Sequence, residues 1–376
     1  MVLPFPTFTV AAPTTLSEHV KIYASVVIPT CNPGDALVEC VAAVYAQKPA
    51  GDGSIELIVV DNNSSADKHN YIRHVMALFH SARIKQRLLV EQAQGAGHSR
   101  SRGIHEARAE FVGCLDDDNV AAPEWLIAGL DSLRCNHRIA AVTGLLLPPP
   151  WAPTESTFAT CQEPFALRTA PTDRCFRYDT NRGHAPPSAG CVVRRSAVVS
   201  TILECPPLLL GLSRDFPLTS EDTELFMRLG QRGWEVWHNP GMVCTHSIAP
   251  ERFTSARVRK LMRGIGLAHS PLRLVRTKSV LPWLLTMPLI MLRDMLQLVR
   301  ETFALARDGG DAFRQAHAWR LFYAVQSPIR GNFHVIRSRL LGCGVSLTDG
   351  RWTEEPLGPQ AAGENVSRDR DRSGPE

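Results

Sequence analysis

Between residues 22 and 147 short β-rich apolar runs alternate with helical periodicity, and this alternation constrains the fold more than any other feature. The runs at 23–28, 55–60, 88–90, 111–115 and 140–147 have strand length and composition. Between the first two, Leu37, Cys40, Val41, Val44 and Tyr45 recur at helical spacing behind the breaker Pro33-Gly34, which predicts one buried helix face. Strand and helix in alternation imply βαβ units around a mostly parallel sheet flanked by helices. The Pro-rich stretch 148–153 ends the pattern, and 151–189 reads as a long irregular loop, more often functional than accidental. A strand at 190–193, a helix near 220–232 and strands near 235–237 and 242–245 follow.

With 376 residues and 44% apolar content, the chain can bury one large α/β core and carry an appendage. The boundaries read from composition are an N-terminal extension at 1–20, the α/β domain at 21–250, a basic helical region at 251–345 and a disordered tail at 346–376. The net charge of +4 hides an asymmetry: residues 252–342 hold sixteen Lys/Arg against four Asp/Glu, a net of +12. Ten cysteines without Cys-x-x-Cys or zinc spacing read as reduced core residues of a cytosolic protein. The N-terminus shows neither signal peptide nor anchor, so the sequons at Asn63 and Asn365 read as chance.

In an open α/β sheet, ligands collect beyond the carboxyl ends of the strands. There, 58–60 runs into Asp61-Asn62-Asn63-Ser64, and 112–115 into Asp116-Asp117-Asp118-Asn119. Three consecutive carboxylates repel one another unless a cation or donors compensate, and Mg²⁺ or Mn²⁺ completed by substrate phosphates would do so. Solvated turn-formers are the equal alternative for the triplet taken alone. Gly95-Ala96-Gly97 enters a helix whose start carries Arg100 and Arg102, suited to phosphate or simply a structural turn. Thr219-Ser220-Glu221-Asp222 stands at another helix start, where capping and dipole stabilisation compete with catalysis as the explanation.

In this order, Val26-Val27-Ile28-Pro29-Thr30-Cys31-Asn32, 56–64, 95–103, 115–119 and Glu221-Asp222 before Gly233-Trp234 resemble the family 2 glycosyltransferases of the GT-A fold. Gln94-Gly95, 115–119, 186–190, 237–240 and 263–267 resemble the branch that makes hormogonium and related exopolysaccharides. The resemblance implies that Pro29, Thr30, Asn32, Asp61, Asn63, Gly95, Arg100, Asp116 and Asp117 bind the nucleotide sugar, with Asp61 on the base and Asp116 near the ribose. It further implies that Asp118 holds the metal, that His246 approaches metal or diphosphate, and that Asp222 is the general base supported by Glu221. A core histidine is an equal reading of His246. Ser101 replaces the asparagine usual in the family, which puts that amide's contacts in doubt. The expected reaction is inverting transfer from a nucleoside-diphosphate sugar, a UDP-sugar first, to a glycan or lipid-linked glycan, with the 151–189 loop shaping the acceptor side.

Residues 280–292 are an uncharged thirteen-residue stretch with Pro282 and Pro288, too short and broken for a span. Flanked by Arg273, Arg276 and Lys278, it suits an amphipathic element on an anionic membrane surface, or a core helix with a solvated basic face. Peripheral contact at the inner face of the cell membrane through 252–342 is the resulting expectation. Aromatic residues do not interleave with the charges, which argues against nucleic acid. The competing functions are a sugar-phosphate nucleotidyltransferase, whose Gly-rich, Lys-containing loop would stand where Pro29-Thr30-Cys31-Asn32-Pro33 does, and a non-catalytic basic membrane-binding protein. A processive polysaccharide synthase is disfavoured, because Gln231-Arg232-Gly233-Trp234 replaces its Gln-x-x-Arg-Trp segment and no clear span is present.

Overall fold

The computed structural model describes residues 21–150, 163–169, 173–213, 216–249, 252, 254–277, 279–308, 312–340 and 352–355. The first half is β1 (Ile22–Thr30), α1 (Ala36–Tyr45), β2 (Ser54–Asp61), α2 (Ala66–Ala77), β3 (Ile84–Glu91), α3 (Ala96–Glu106), β4 (Phe111–Cys114), β5 (Asn119–Ala121), α4 (Trp125–Cys135) and β6 (Ile139–Leu147). Then come β7 (Phe176–Arg177), β8 (Cys191–Arg194), α5 (Arg195–Glu204), α6 (Glu221–Gln231) and β9 (Glu235–His246). The C-terminal layer is α7 (Ser255–Thr277), α8 (Val280–Asp308), α9 (Ala312–Gln326), a π-helical turn at Ser327–Gly331 and α10 (Asn332–Leu340), and β10 (Trp352–Glu355) follows.

The sheet runs β10-β3-β2-β1-β4-β8-β6-β9-β5, with β7 also on β9. The β3-β2-β1-β4 half is parallel, β6 pairs β9 in parallel, and β8 joins the halves in antiparallel. Parallel strands are covered on both faces and read as continuous apolar runs, which is how Val26 and Ile28 face one core cluster while Val27 faces the other. The first cluster packs β1 and β2 against α1, α2 and α4 through Leu37, Val41, Ile72 and Trp125. The second packs the opposite face against α3, α5 and α6 through Ile104, Val198 and Phe226, and it extends to Leu267 and Ala268 of α7. The basic helical region therefore shares a core with the sheet.

Several expectations are corrected by tertiary context. The strands expected at 235–237 and 242–245 are one strand, β9, because its register on β6 jumps between Thr143↔His238 and Leu145↔Val243 and so accommodates Pro240. The tail expected to be disordered supplies β10, four residues antiparallel on the edge of β3. The run at 280–292 is only the start of the 29-residue α8. Pro282 lies in its first turn, where backbone N–H groups lack helical partners in any case. Of the cysteines, Cys40, Cys114, Cys191 and Cys244 are buried core residues, whereas Cys31, Cys135 and Cys175 are exposed; Cys161 and Cys343 lie outside the described residues, as do 1–20.

One buried carboxylate holds the two helix starts that face the strand ends. Glu224 of α6, fully buried, accepts hydrogen bonds from the N–H groups of Leu208 (2.9 Å) and Leu209 (2.7 Å) and from Arg228 Nε (2.7 Å). The next residue, Leu210, accepts from the N–H of Gly97 in α3 at 2.9 Å. A Cβ on Gly97 would lie 2.9 Å from that carbonyl oxygen, and Gly95 has φ +138° with the same oxygen 2.6 Å from its Cβ position, so both must be glycine. Replacing Glu224 with alanine strands two N–H groups and a mostly buried guanidinium; the expected loss is about 3–5 kcal/mol of unfolding free energy in a urea titration.

Candidate active site

The carboxyl ends of β1, β2 and β4 and the starts of α3 and α6 converge on the acidic triplet. Arg100, buried in the second turn of α3, bridges the two halves: Nη2 lies 2.8 Å from Asp116 Oδ1 and Nη1 3.4 Å from Glu221 Oε1. Arg102 does not share this role. It is buried against Glu91 and Glu106, each 3.6 Å away, on another face of the helix, which corrects its expected place at a phosphate.

The three aspartates have three environments. Asp116 is the most open, at 36% side-chain exposure, and pairs with Arg100. Asp117 accepts a hydrogen bond from Thr30 Oγ1 at 2.5 Å; burial and then the charge of Asp118 push its carboxyl up to about 7 against the pull of Thr30. Burial would also raise Asp118, but His246 and Arg252 outweigh it and bring the group down to about 2. His246 Nε2 is 3.2 Å from Asp118 Oδ2, and Arg252 pairs with the same oxygen. His246 stands opposite Asn119 in the β5–β9 ladder, which is why a residue so distant in sequence reaches Asp118.

The donor set at Asp118 fits a divalent cation held mainly by substrate oxygens. His246 Nδ1 lies 2.9 Å from the Phe165 carbonyl, so Nδ1 carries the proton and donates, leaving Nε2 turned to Asp118 as a ligating lone pair or a second N–H. Among the described residues no group of three or more His, Cys, Asp or Glu side chains is arranged to hold a metal ion. Asp118 and His246 would thus supply two ligands and a diphosphate the rest, a common pattern for Mg²⁺ or Mn²⁺. Arg252 now supplies the positive charge on that carboxylate.

The remaining expected nucleotide residues line the ends of β1 and β2. Pro29 and Thr30 end β1, and Asn32, at φ 52°, ties this end to the next loop by donating its N–H to Ser64 Oγ (2.8 Å) and accepting from Ser65 N–H (2.9 Å). Asp61 is buried and accepts from Ser64 N–H (3.1 Å) while His69 Nδ1 lies 2.6 Å from its other oxygen, so contact with a base would use its remaining lone pairs. Asn63 donates to the Gln92 carbonyl at 3.3 Å, and Gly95 donates its N–H to Asn62 Oδ1 at 2.7 Å. Asn62, absent from the sequence-based set, is therefore what docks the glycine turn; only its place next to Asp61 hinted at it.

On the opposite side stands Asp222. Ser220 occupies the N-cap of α6 at φ 73° but makes no capping side-chain bond, contrary to the expected cap. Asp222 instead accepts from Thr223 N–H (2.7 Å) and from Ser188 N–H (3.0 Å), which fastens the 186–190 loop to it. Burial and then Asp222 push Glu221 up to about 7, with Arg100 pulling the other way. Arg168 was missed because nothing local marks it: half-buried, it donates to the carbonyls of Gly144 (2.7 Å), Pro187 (3.0 Å) and Ala189 (2.7 Å) and so shapes the same loop. Ser188 Oγ, Thr143 Oγ1 and both His238 nitrogens are buried without a protein partner.

Residues 25–186 match the family model described as glycosyl transferase family 2. This segment is a family 2 glycosyltransferase domain. Its α/β sheet with flanking helices is the GT-A fold, carrying a helical C-terminal region. Among curated proteins the chain is 31% identical over 122 residues to a GalNAc(5)-diNAcBac-PP-undecaprenol beta-1,3-glucosyltransferase of Campylobacter jejuni, covering 32% of this chain and 37% of that one. It is 31% identical over 96 residues to the glycosyltransferase GlyG of Streptococcus pneumoniae, covering 26% and 30%. The chain thus spans about a third of the length of these relatives. Among solved structures, similarity extends to a mannosyltransferase of Pyrobaculum calidifontis in complex with GDP-Man and Mn²⁺ (TM-score 0.47, 14% identity, 85% of this chain and 87% of that). GalNAc-T7 with UDP, GalNAc and Mn²⁺ gives a TM-score of 0.46 at 14% identity over 68% and 49%.

The raised carboxyls make a pH prediction. Asp117 and Glu221 keep protons in the folded state that the unfolded chain has released, so stability falls as pH rises from about 4 through about 7. Thermal unfolding in the presence of a chelator should show the midpoint falling across that window. Asp117→Asn should flatten the fall.

Proposed function

We propose that the chain transfers a sugar, with inversion, from a nucleoside-diphosphate sugar to a carbohydrate hydroxyl, and that a divalent metal assists. The observation that carries this reading is the bridge from Asp116 through Arg100 to Glu221, which sets the acidic strand end beside the start of α6 and Asp222. Family membership supports transfer over the nucleotidyltransferase alternative and over a purely binding role. The name of the Campylobacter relative supports a lipid-linked glycan acceptor as the class to test first, and a nucleotide-sugar donor, UDP-sugars before others, rests on the motif resemblance. Surface polysaccharide synthesis, and the hormogonium branch in particular, is part of the same proposal and rests on the motif resemblance.

When the bond from the anomeric carbon to the diphosphate breaks, its electron pair leaves with the diphosphate while the sugar ring gains positive charge. Mg²⁺ or Mn²⁺, held at Asp118 and His246, would neutralise part of the charge developing on the diphosphate. Arg100 adds a fixed cation that needs no reorganisation during the reaction. The acceptor oxygen attacks the anomeric carbon from the opposite face and loses its proton to Asp222, whose carboxylate is aimed by Thr223 and Ser188 N–H. Glu221 is the second carboxyl that faces the Arg100 guanidinium, at 3.4 Å. Arg168, through the carbonyls of Pro187 and Ala189, holds the 186–190 loop on the acceptor side.

Two variants separate the roles. Asp118→Asn should abolish the Mn²⁺ dependence of nucleoside-diphosphate binding by calorimetry, together with turnover; metal-independent binding with retained turnover would refute the metal assignment. Asp222→Asn should bind donor normally and lose about 10²–10⁴-fold in single-turnover rate. A merely structural Asp222 would cost about 0.3–1 kcal/mol of helix stability and leave the rate unchanged, moving the base to Glu221.

A further inference from the structure

We infer that α8 lies flat on an anionic lipid surface, with its axis in the plane of the membrane and its apolar stripe among the acyl chains. Ten large apolar side chains of α8 are exposed, against three among the described residues of 21–249. Monomeric soluble surfaces carry scattered apolar residues, and a contiguous patch marks an interaction site. At about 100° per residue, Leu285, Leu289, Leu292, Leu296, Val299 and Phe303 project within roughly 80° of one another. Their exposures run from 48% at Leu292 to 70% at Leu289 and Phe303. The opposite side of α8 is engaged by the protein: Met287 and Asp294 are buried, and Asp294 pairs with His269 of α7 at 3.3 Å. One face is thus fixed to the body and the other is presented outward over the whole helix, about 40 Å long.

Charge selects the occupant. Arg300 and Arg307 stand seven residues apart and therefore run along one edge of the stripe, both exposed, whereas the Arg293 guanidinium is held by Asp294 at 2.6 Å. Arginines so placed can keep their guanidinium groups at phosphate level while their stems cover apolar surface. The region 252–342 carries a net +12, so two copies meeting through these faces would bring like charges together, whereas an anionic headgroup layer neutralises them. Among the described residues no helix is long and apolar enough to cross a membrane. Surface attachment is then the geometry that buries the stripe and leaves the catalytic domain in water. Inner-face placement in a cell belongs to this inference, and a membrane-embedded lipid-linked acceptor would make it useful, but the lipid contact stands without the transfer reaction.

The test is co-sedimentation of the full chain with phosphatidylcholine vesicles, with and without phosphatidylglycerol, at low and high salt. Binding is expected only to the anionic vesicles and should weaken with salt. Leu285→Ser/Leu289→Ser/Leu296→Ser should abolish it with circular dichroism unchanged, since these side chains are already in water. Arg300→Gln/Arg307→Gln should weaken partitioning ~25-fold, each arginine near such a surface being worth about five-fold. Equal binding to neutral vesicles, indifference of binding to the leucine changes, or no vesicle binding together with a dimer in sedimentation analysis that the leucine changes dissociate would each overturn the inference. No donor or acceptor enters the assay, so its failure would leave the proposed transfer untouched.

Discussion

The buried guanidinium of Arg100 holds together parts of the chain that are far apart in sequence. It reaches Asp116 just after β4 and Glu221 at the start of α6, and it offsets part of the cost of burying Glu221 there. One cation between a carboxyl after β4 and one at the start of α6 fixes how far apart those two elements stand. Because α3 must approach closely enough for this, its first turn is packed on the Leu210 carbonyl, and only glycine fits at 95 and 97. Glu224 fixes the same loop from the α6 side, so the bridge above and the loop below constrain one another.

The triplet at the end of β4 shows how one local composition can serve three purposes. Asp116 is an open carboxylate paired with the bridge, Asp117 is held near neutrality by burial and its neighbour, and Asp118 is kept anionic by His246 and Arg252. Like charges so close cannot share one protonation state, and the fold separates them by giving each a different partner. Arg252 stands just ahead of α7, so the cation compensating Asp118 comes from the margin of the basic helical layer, and α7 itself is anchored in the core shared with α6. Site and helical layer are therefore mechanically continuous.

The strand ends, the acidic triplet and the Glu221-Asp222 helix start were legible in the sequence because they depend on short-range pattern: apolar runs of strand length followed directly by polar residues at the sheet's carboxyl edge. So were the basic helices after 250 and the break after 147. Less legible was anything set by partners distant along the chain. Arg100 and Arg102 are two residues apart on one helix and look equivalent in sequence, yet about 200° of rotation turns the second toward Glu91 and Glu106. His69 and Arg168 carry no motif, and their roles come from what the fold brings to them. The edge strand at 352–355 is recruited by the open side of β3, which local propensity cannot foresee.

The sequence by itself determined the alternating α/β architecture and the order of the motifs that carry the family resemblance, since period and residue type are local properties of the chain. Tertiary structure alone decided which residues meet: that Arg100 joins Asp116 to Glu221, that His246 reaches Asp118 through the β5–β9 ladder, and that α8 keeps an apolar face uncovered. The physical reason is that charge compensation, burial and exposure belong to pairs of distant surfaces, and they acquire values only once the sheet has brought those surfaces together.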